Sequence, residues 1–126
     1  MQATQQQLER QVTEFQSLQK EYSTAVSSRS TLEAQLKENE MVKKEFDALK
    51  DDSTVYKLIG PVLVKQDRPE AAANVSKRIE YISSEIKRLE SQIKSYEEKQ
   101  EQKKMEVRAL LLSEVVLAFV LQSHYD

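Results

Sequence analysis

Polar and apolar residues alternate along this chain with two different periods. In the second half, Val75, Ile79, Ile82, Ile86, Leu89, Ile93, Tyr96, Gln100, Lys103, Val107 and Leu110 fall at strict steps of four and three. Nine of these eleven are apolar or aromatic. A stripe of this kind lies along one side of a helix and winds it around a partner helix. The two polar members, Gln100 and Lys103, are adjacent in the repeat and predict a locally weak seam. In the first half the stripe is Phe15, Leu18, Tyr22, Ala25, Arg29, Leu32, Leu36 and Asn39, after which the register slips by one to Val42, Phe46 and Leu49. A slip changes the local supercoil without ending the helix. Arg29 and Asn39 are polar seam residues of the type that fixes register at some cost in stability. Glu33/Lys37, Glu40/Lys44 and Glu90/Lys94 place each Glu four residues before a Lys, which supports a helix by a few tenths of a kcal/mol per pair.

Between the stripes the period changes. Val55, Tyr56, Leu58, Ile59, Val62, Leu63 and Val64 are β-branched, aliphatic or aromatic, with Gly60-Pro61 at their centre. This predicts a β-hairpin at about 54–66. One helix ends near Asp51-Asp52-Ser53, giving a span of about 5–52. The next starts near Arg68, with Asp67 and Glu70 in capping-box spacing and Pro69 tolerated in the first turn, and runs over about 68–112. With only the hairpin between them the helices run antiparallel, each roughly 70 Å long at 1.5 Å per residue, so Phe15 lies across from Val107. The expected fold is mostly α: one domain over 1–126, an antiparallel two-helix coiled-coil hairpin with one β-hairpin between the helices. An atypical apolar tail covers about 110–126.

Composition agrees with long unbroken helices. There is one Gly and two Pro, and 32% of residues are charged while 6% are aromatic. The net charge of −2 argues against a nucleic-acid partner, which needs a basic face. The doublets Lys43-Lys44, Lys77-Arg78, Lys87-Arg88 and Lys103-Lys104 are scattered and read as solvated helix faces. Without Cys there is no disulfide frame, no Cys-ligated zinc and no thiol nucleophile, which fits a cytoplasmic location. The run Leu110 to Leu121 is shorter than the roughly 20 apolar residues that cross a bilayer, so no membrane partner is expected from it. The sole His, His124, lies next to the end of the chain, and a single Gly cannot make a glycine-rich phosphate loop. Catalytic residues, metal ligands and cofactors are therefore expected to be none, and the chain is not expected to be an enzyme.

The hairpin is the feature that asks for a partner. An isolated two-stranded hairpin is marginal in water, and its apolar strands with open edges would template aggregation. Val55, Tyr56, Leu58, Ile59, Val62, Leu63 and Val64 are thus the candidate assembly residues, paired with hairpins of other subunits. The alternative is a hairpin that merely caps its own coiled coil. At the opposite end, Leu8, Val12, Phe15, Val107 and Leu110 are candidates for holding non-native chains, although Phe15, like Leu18, also reads as an ordinary seam residue. A structural scaffold or tether, or a membrane-associated adaptor using the apolar tail, are the rival classes.

The run Glu38 to Phe46, the hairpin block Val55 to Asp67, and Asn74-Val75 with Arg78 to Ile82 and Glu85 to Leu89 resemble β-class subunits of the prefoldin family. The resemblance spans roughly residues 8 to 105, and the apolar stretch after Met105 departs from it. It implies a cytosolic co-chaperone: a heterohexamer of two α-class and four β-class subunits, whose hairpins form a double β-barrel platform carrying six coiled coils. Their tips hold unfolded clients, actin and tubulin in eukaryotes, and pass them to the group II chaperonin without nucleotide. A single hairpin matches the β class, since the α class has two.

Overall fold

The computed structural model describes residues 2–49 and 53–125. Four elements follow one another: α1 (Gln2–Ala48), β1 (Val55–Ile59), β2 (Val62–Gln66) and α2 (Arg68–Tyr125). Neither Gly nor Pro occurs before Gly60, so nothing interrupts the α1 backbone. Leu49 N–H donates to the Phe46 carbonyl at 3.2 Å, a tightened turn just beyond the end of α1. The expected continuation of this helix to residue 52 falls partly on 50–52, which lie outside the described residues. α2 opens with the Ala71 N–H donating to the Asp67 carbonyl at 2.9 Å, and Glu70 stands in its first turn. The negative charge there complements the positive end of the helix dipole.

α2 runs on to Tyr125, past residue 112 where the stripe reading ended it. The stripe breaks at Glu114, but backbone hydrogen bonding does not depend on a seam. After Pro69 the chain has no Gly or Pro, and Leu and Ala in this stretch favour the helix.

The chain divides into two compact units, Met1–Ser27 with Ser91–Asp126, and Ser28–Glu90. Within the second, three side-chain links pair α1 with the start of α2. Arg29 Nη2 donates to Glu90 Oε1 at 2.9 Å, Arg78 Nη1 to Asn39 Oδ1 at 3.5 Å, and Arg68 Nη2 to the Leu49 carbonyl at 2.8 Å. As the number rises on α1 it falls on α2, which is antiparallel pairing. The Arg68 link also answers a carbonyl left over at the end of α1. Val75, Ile82, Ile86 and Leu89 of the predicted stripe are buried, together with Ala71. Arg29 joins two carboxylates, Glu90 on α2 and Glu33 at 3.3 Å on its own helix. Glu33 and Glu90 thus turn to an arginine of the seam as well as having a lysine four residues on. Glu85 and Arg88 pair on the outer face at 2.8 Å. The hydrogen bond from Arg88 holds the Glu85 carboxyl below the ordinary carboxylate range and raises the guanidinium in return.

Within the first unit, Tyr22 donates to Glu97 at 3.3 Å, and Lys103 Nζ reaches Gln11 at 2.7 Å and Glu14, again with opposite number trends. Ala25 is its buried side chain among the described residues.

Candidate assembly hairpin and capture groove

The hairpin register runs Val55↔Gln66, Tyr56↔Lys65, Lys57↔Val64, Leu58↔Leu63 and Ile59↔Val62. Two residues, Gly60 and Pro61, close the loop. Gly60 has φ +58°, and proline fixes its own φ near −65°. A positive first φ followed by a negative one is the sign pattern of a II′ turn, whose twist suits the strands it joins.

Directly opposed residues share a face, and faces alternate along each strand. Val55, Ile59, Val62 and Val64 therefore stand on one side with Lys57, and Tyr56, Leu58 and Leu63 on the other with Lys65. Six of these apolar residues are exposed, Leu58 most of all at 67% and Leu63 at 64%. Val55, next to the helices in sequence, is half-buried. The sheet has two strands only, so each strand keeps one unpaired edge. A sheet apolar on both faces and open at both edges is a surface that water solvates poorly and another strand could pair with.

In the other unit, Val12, Phe15, Lys104, Val107, Arg108 and Leu111 line an open groove of about 310 Å³. It brings Phe15 and Val107 together across the helix pair. Both are half-buried, whereas Val12 is 39% exposed. The Lys104 ammonium stands 6.0 Å above the Phe15 ring, a cation–π distance. Leu8 is half-buried, and Leu110 lines a separate depression with Gln7, Glu114 and Val116 among others. The five predicted capture residues are thus not one cluster: three line the groove and Leu110 lines the depression beside it. Lys104, Arg108 and Leu111 were missed as groove residues. Spacing gave the signal, because Lys104, Arg108 and Leu111 recur at four and three along one side of α2 next to Val107.

The predicted weak seam at Lys103 is occupied by polar contacts. Its ammonium binds Gln11 and Glu14 of α1 and Glu106 of α2, the last at 3.4 Å. The hydrogen bond it donates to Glu14, and then that to Glu106, hold the lysine above its ordinary range, against the pull of desolvation. Beyond it, Val115, Val116, Leu117, Phe119, Val120 and Leu121 are all exposed, Phe119 at 73%. Among the described residues no helix is long and apolar enough to cross a membrane.

Two long helices joined by one exposed apolar β-hairpin are the architecture of a β-class prefoldin subunit. A family model described as Prefoldin subunit matches residues 2–114, and the chain belongs to this family of co-chaperone subunits, which is not a family of known enzymes. It is 49% identical over 100 residues to prefoldin subunit 6 of Homo sapiens, covering 79% of this chain and 78% of that protein. Prefoldin subunit 6 of Arabidopsis thaliana is 50% identical over 103 residues, covering 82% and 80%. The crystal structure of the prefoldin beta subunit from Thermococcus strain KS-1 superposes with a TM-score of 0.74 at 25% identity, covering 82% of this chain and 90% of that one. The beta2 subunit of the same strain shares the fold, with a TM-score of 0.61 at 23% identity. α2 residues 115–125 lie beyond the family match.

Proposed function

We propose that this chain is a β-class subunit of a cytoplasmic heterohexameric prefoldin. In that assembly two α-class and four β-class subunits pool their hairpins into a platform. The complex holds unfolded chains such as actin and tubulin and delivers them to the group II chaperonin, with no nucleotide and no cofactor. The observation that carries this reading is the hairpin, exposed and apolar on both faces with both edges unpaired. Val55, Tyr56, Leu58, Ile59, Val62, Leu63 and Val64 are the assembly residues in this proposal. Burying a side chain of this size contributes about 1.5–3 kcal/mol, so a handful per subunit is ample for a lasting complex. A single hairpin supports the β class, as does the likeness to a prefoldin beta subunit. Client contact is assigned to Val12, Phe15 and Val107, on the motive of an accessible apolar groove, and to Leu8 and Leu110 as apolar positions of the same unit outside it.

The test is to mix the chain with α-class prefoldin subunits and measure the mass of the product. A hexamer is expected from the native chain. Leu63→Asp should abolish it while circular dichroism shows the helices retained, because the new carboxylate would have to be buried unpaired in the platform. A hexamer that forms normally with that substitution would remove the hairpin from the assembly role.

A further inference from the structure

The groove at Val12, Phe15, Val107 and Leu111 has an unequal charge on its rim. Its two charged members, Lys104 and Arg108, are both cationic. They stand four residues apart on one side of α2 and both are exposed. Among the described residues neither forms an ion pair, not even with Glu101, three residues before Lys104. The neighbouring depression on the other side of the seam is different. It carries Glu14, Glu21 and Glu106 against Lys99 and Lys103, and Lys103 is matched to two of those carboxylates. Adjacent residues on a helix point apart, so Lys103 and Lys104 serve opposite sides. One side is electrostatically answered from within the chain. The other offers an apolar floor with two cations that no carboxylate among the described residues neutralises, Lys104 resting over the Phe15 ring.

We propose that this groove selects apolar client segments flanked by carboxylates. The inference rests on the capture reading above and adds charge selectivity to it. An apolar side chain of the client would cover Val12, Val107 and Leu111. An Asp or Glu beside it would meet Lys104 or Arg108 at the rim. Rim charges act chiefly on partner choice and association rate, and their effect falls with salt.

The experiment uses the full chain and two short fluorescein-labelled peptides with one identical Leu/Phe/Val core, flanked either by Glu or by Lys. Fluorescence anisotropy at low salt should show the Glu-flanked peptide binding about fivefold more tightly, the scale expected of two exposed ion pairs. High salt should erase that difference. Lys104→Glu with Arg108→Glu should reverse the preference, and since both positions are exposed, circular dichroism should be unchanged. Val12→Ser should weaken both peptides alike and keep their ratio. Equal binding of the two peptides, with Val12→Ser still weakening both, would overturn the charge selectivity and leave capture standing. Failure of both peptides to bind, with aggregation suppression by the complex unaffected by Val12→Ser, would overturn the groove as a capture site altogether. Two other occupants are read in parallel. Co-sedimentation with vesicles of equal parts phosphatidylserine and phosphatidylcholine, without any peptide preference, would assign the cations to a lipid surface and overturn the proposal. Self-association lost in the double-charge variant, again without peptide preference, would assign the groove to a second copy and overturn it too.

Discussion

At the scale of single residues, Gly60 and Ile82 show how differently two positions can be constrained. Gly60 has nothing within 4 Å of where a Cβ would sit, so space is not its constraint. Its φ of +58° is the constraint, because an L side chain there crowds the following carbonyl. Gly60→Ala should cost about 1–2 kcal/mol, concentrated in the hairpin. Its readout is a lower yield of assembled complex with unchanged helix signal, and Gly60→Asn should be milder. Ile82 is 4% exposed in the helix seam. Ile82→Ala should destabilise by about 2–3 kcal/mol, toward the low side for a core deletion, because a two-helix seam can admit water into the gap. Thermal unfolding followed by circular dichroism checks this. The stripe made Ile82 legible in the sequence, and the Gly-Pro pair made the turn legible. The partners of Arg29, Asn39 and Lys103 were not legible. Their stripe positions told that they face the seam, but which carboxylate or amide answers each depends on the stagger of two helices. In the structure Arg29 takes Glu90, Asn39 accepts from Arg78, and Lys103 takes Glu14 and Glu106.

At the scale of elements, the end of α2 lies beyond the family match. The family match stops at residue 114, yet the helix continues to Tyr125 with large apolar residues exposed on all its sides. A helix apolar all round is ordinarily a buried one. Its residues belong to the unit that lacks the hairpin. A chain ending at Ala109 should therefore still form the hexamer-sized complex, as measured by native mass. Loss of that species on truncation would contradict this. If the shortened chain assembles but suppresses client aggregation less well, the segment contacts clients. If it only self-associates less, the segment is an exposed adhesive surface that natural burial in the assembly would have to cover. The pattern predicted this element as a tail because the stripe fails at Glu114. What the stripe cannot see is that a helix persists on local propensity after its seam has run out.

At the scale of the whole molecule, the amino-acid sequence bears on the proposed nucleotide-free action through its glycine content. One glycine, placed in a hairpin turn, leaves none for a phosphate-cradling loop. Suppression of client aggregation by the assembled complex should be equal with and without ATP, and a strict requirement for ATP would contradict the proposed mechanism. Much of the architecture was legible in the linear order of residues. Steps of four and three specify a helix face, alternation around Gly60-Pro61 specifies a hairpin, and a connection that short leaves antiparallel pairing as the simplest outcome. These are local rules, fulfilled by residues close together in the chain. The groove was only half legible. Val12, Phe15 and Val107 were chosen as apolar positions, while Lys104 was read with Lys103 as solvated charge and Arg108 was not singled out. Only tertiary structure decided that they share one rim, because residues 12 and 108 meet by the register of two helices far apart in sequence. The same holds for charge balance across the seam. Composition sets how many carboxylates and ammonium groups the region has, but the packing geometry decides that Lys103 is ion-paired while Lys104 rests over the Phe15 ring without a carboxylate, since an ion pair depends on ångström distances that no spacing rule supplies.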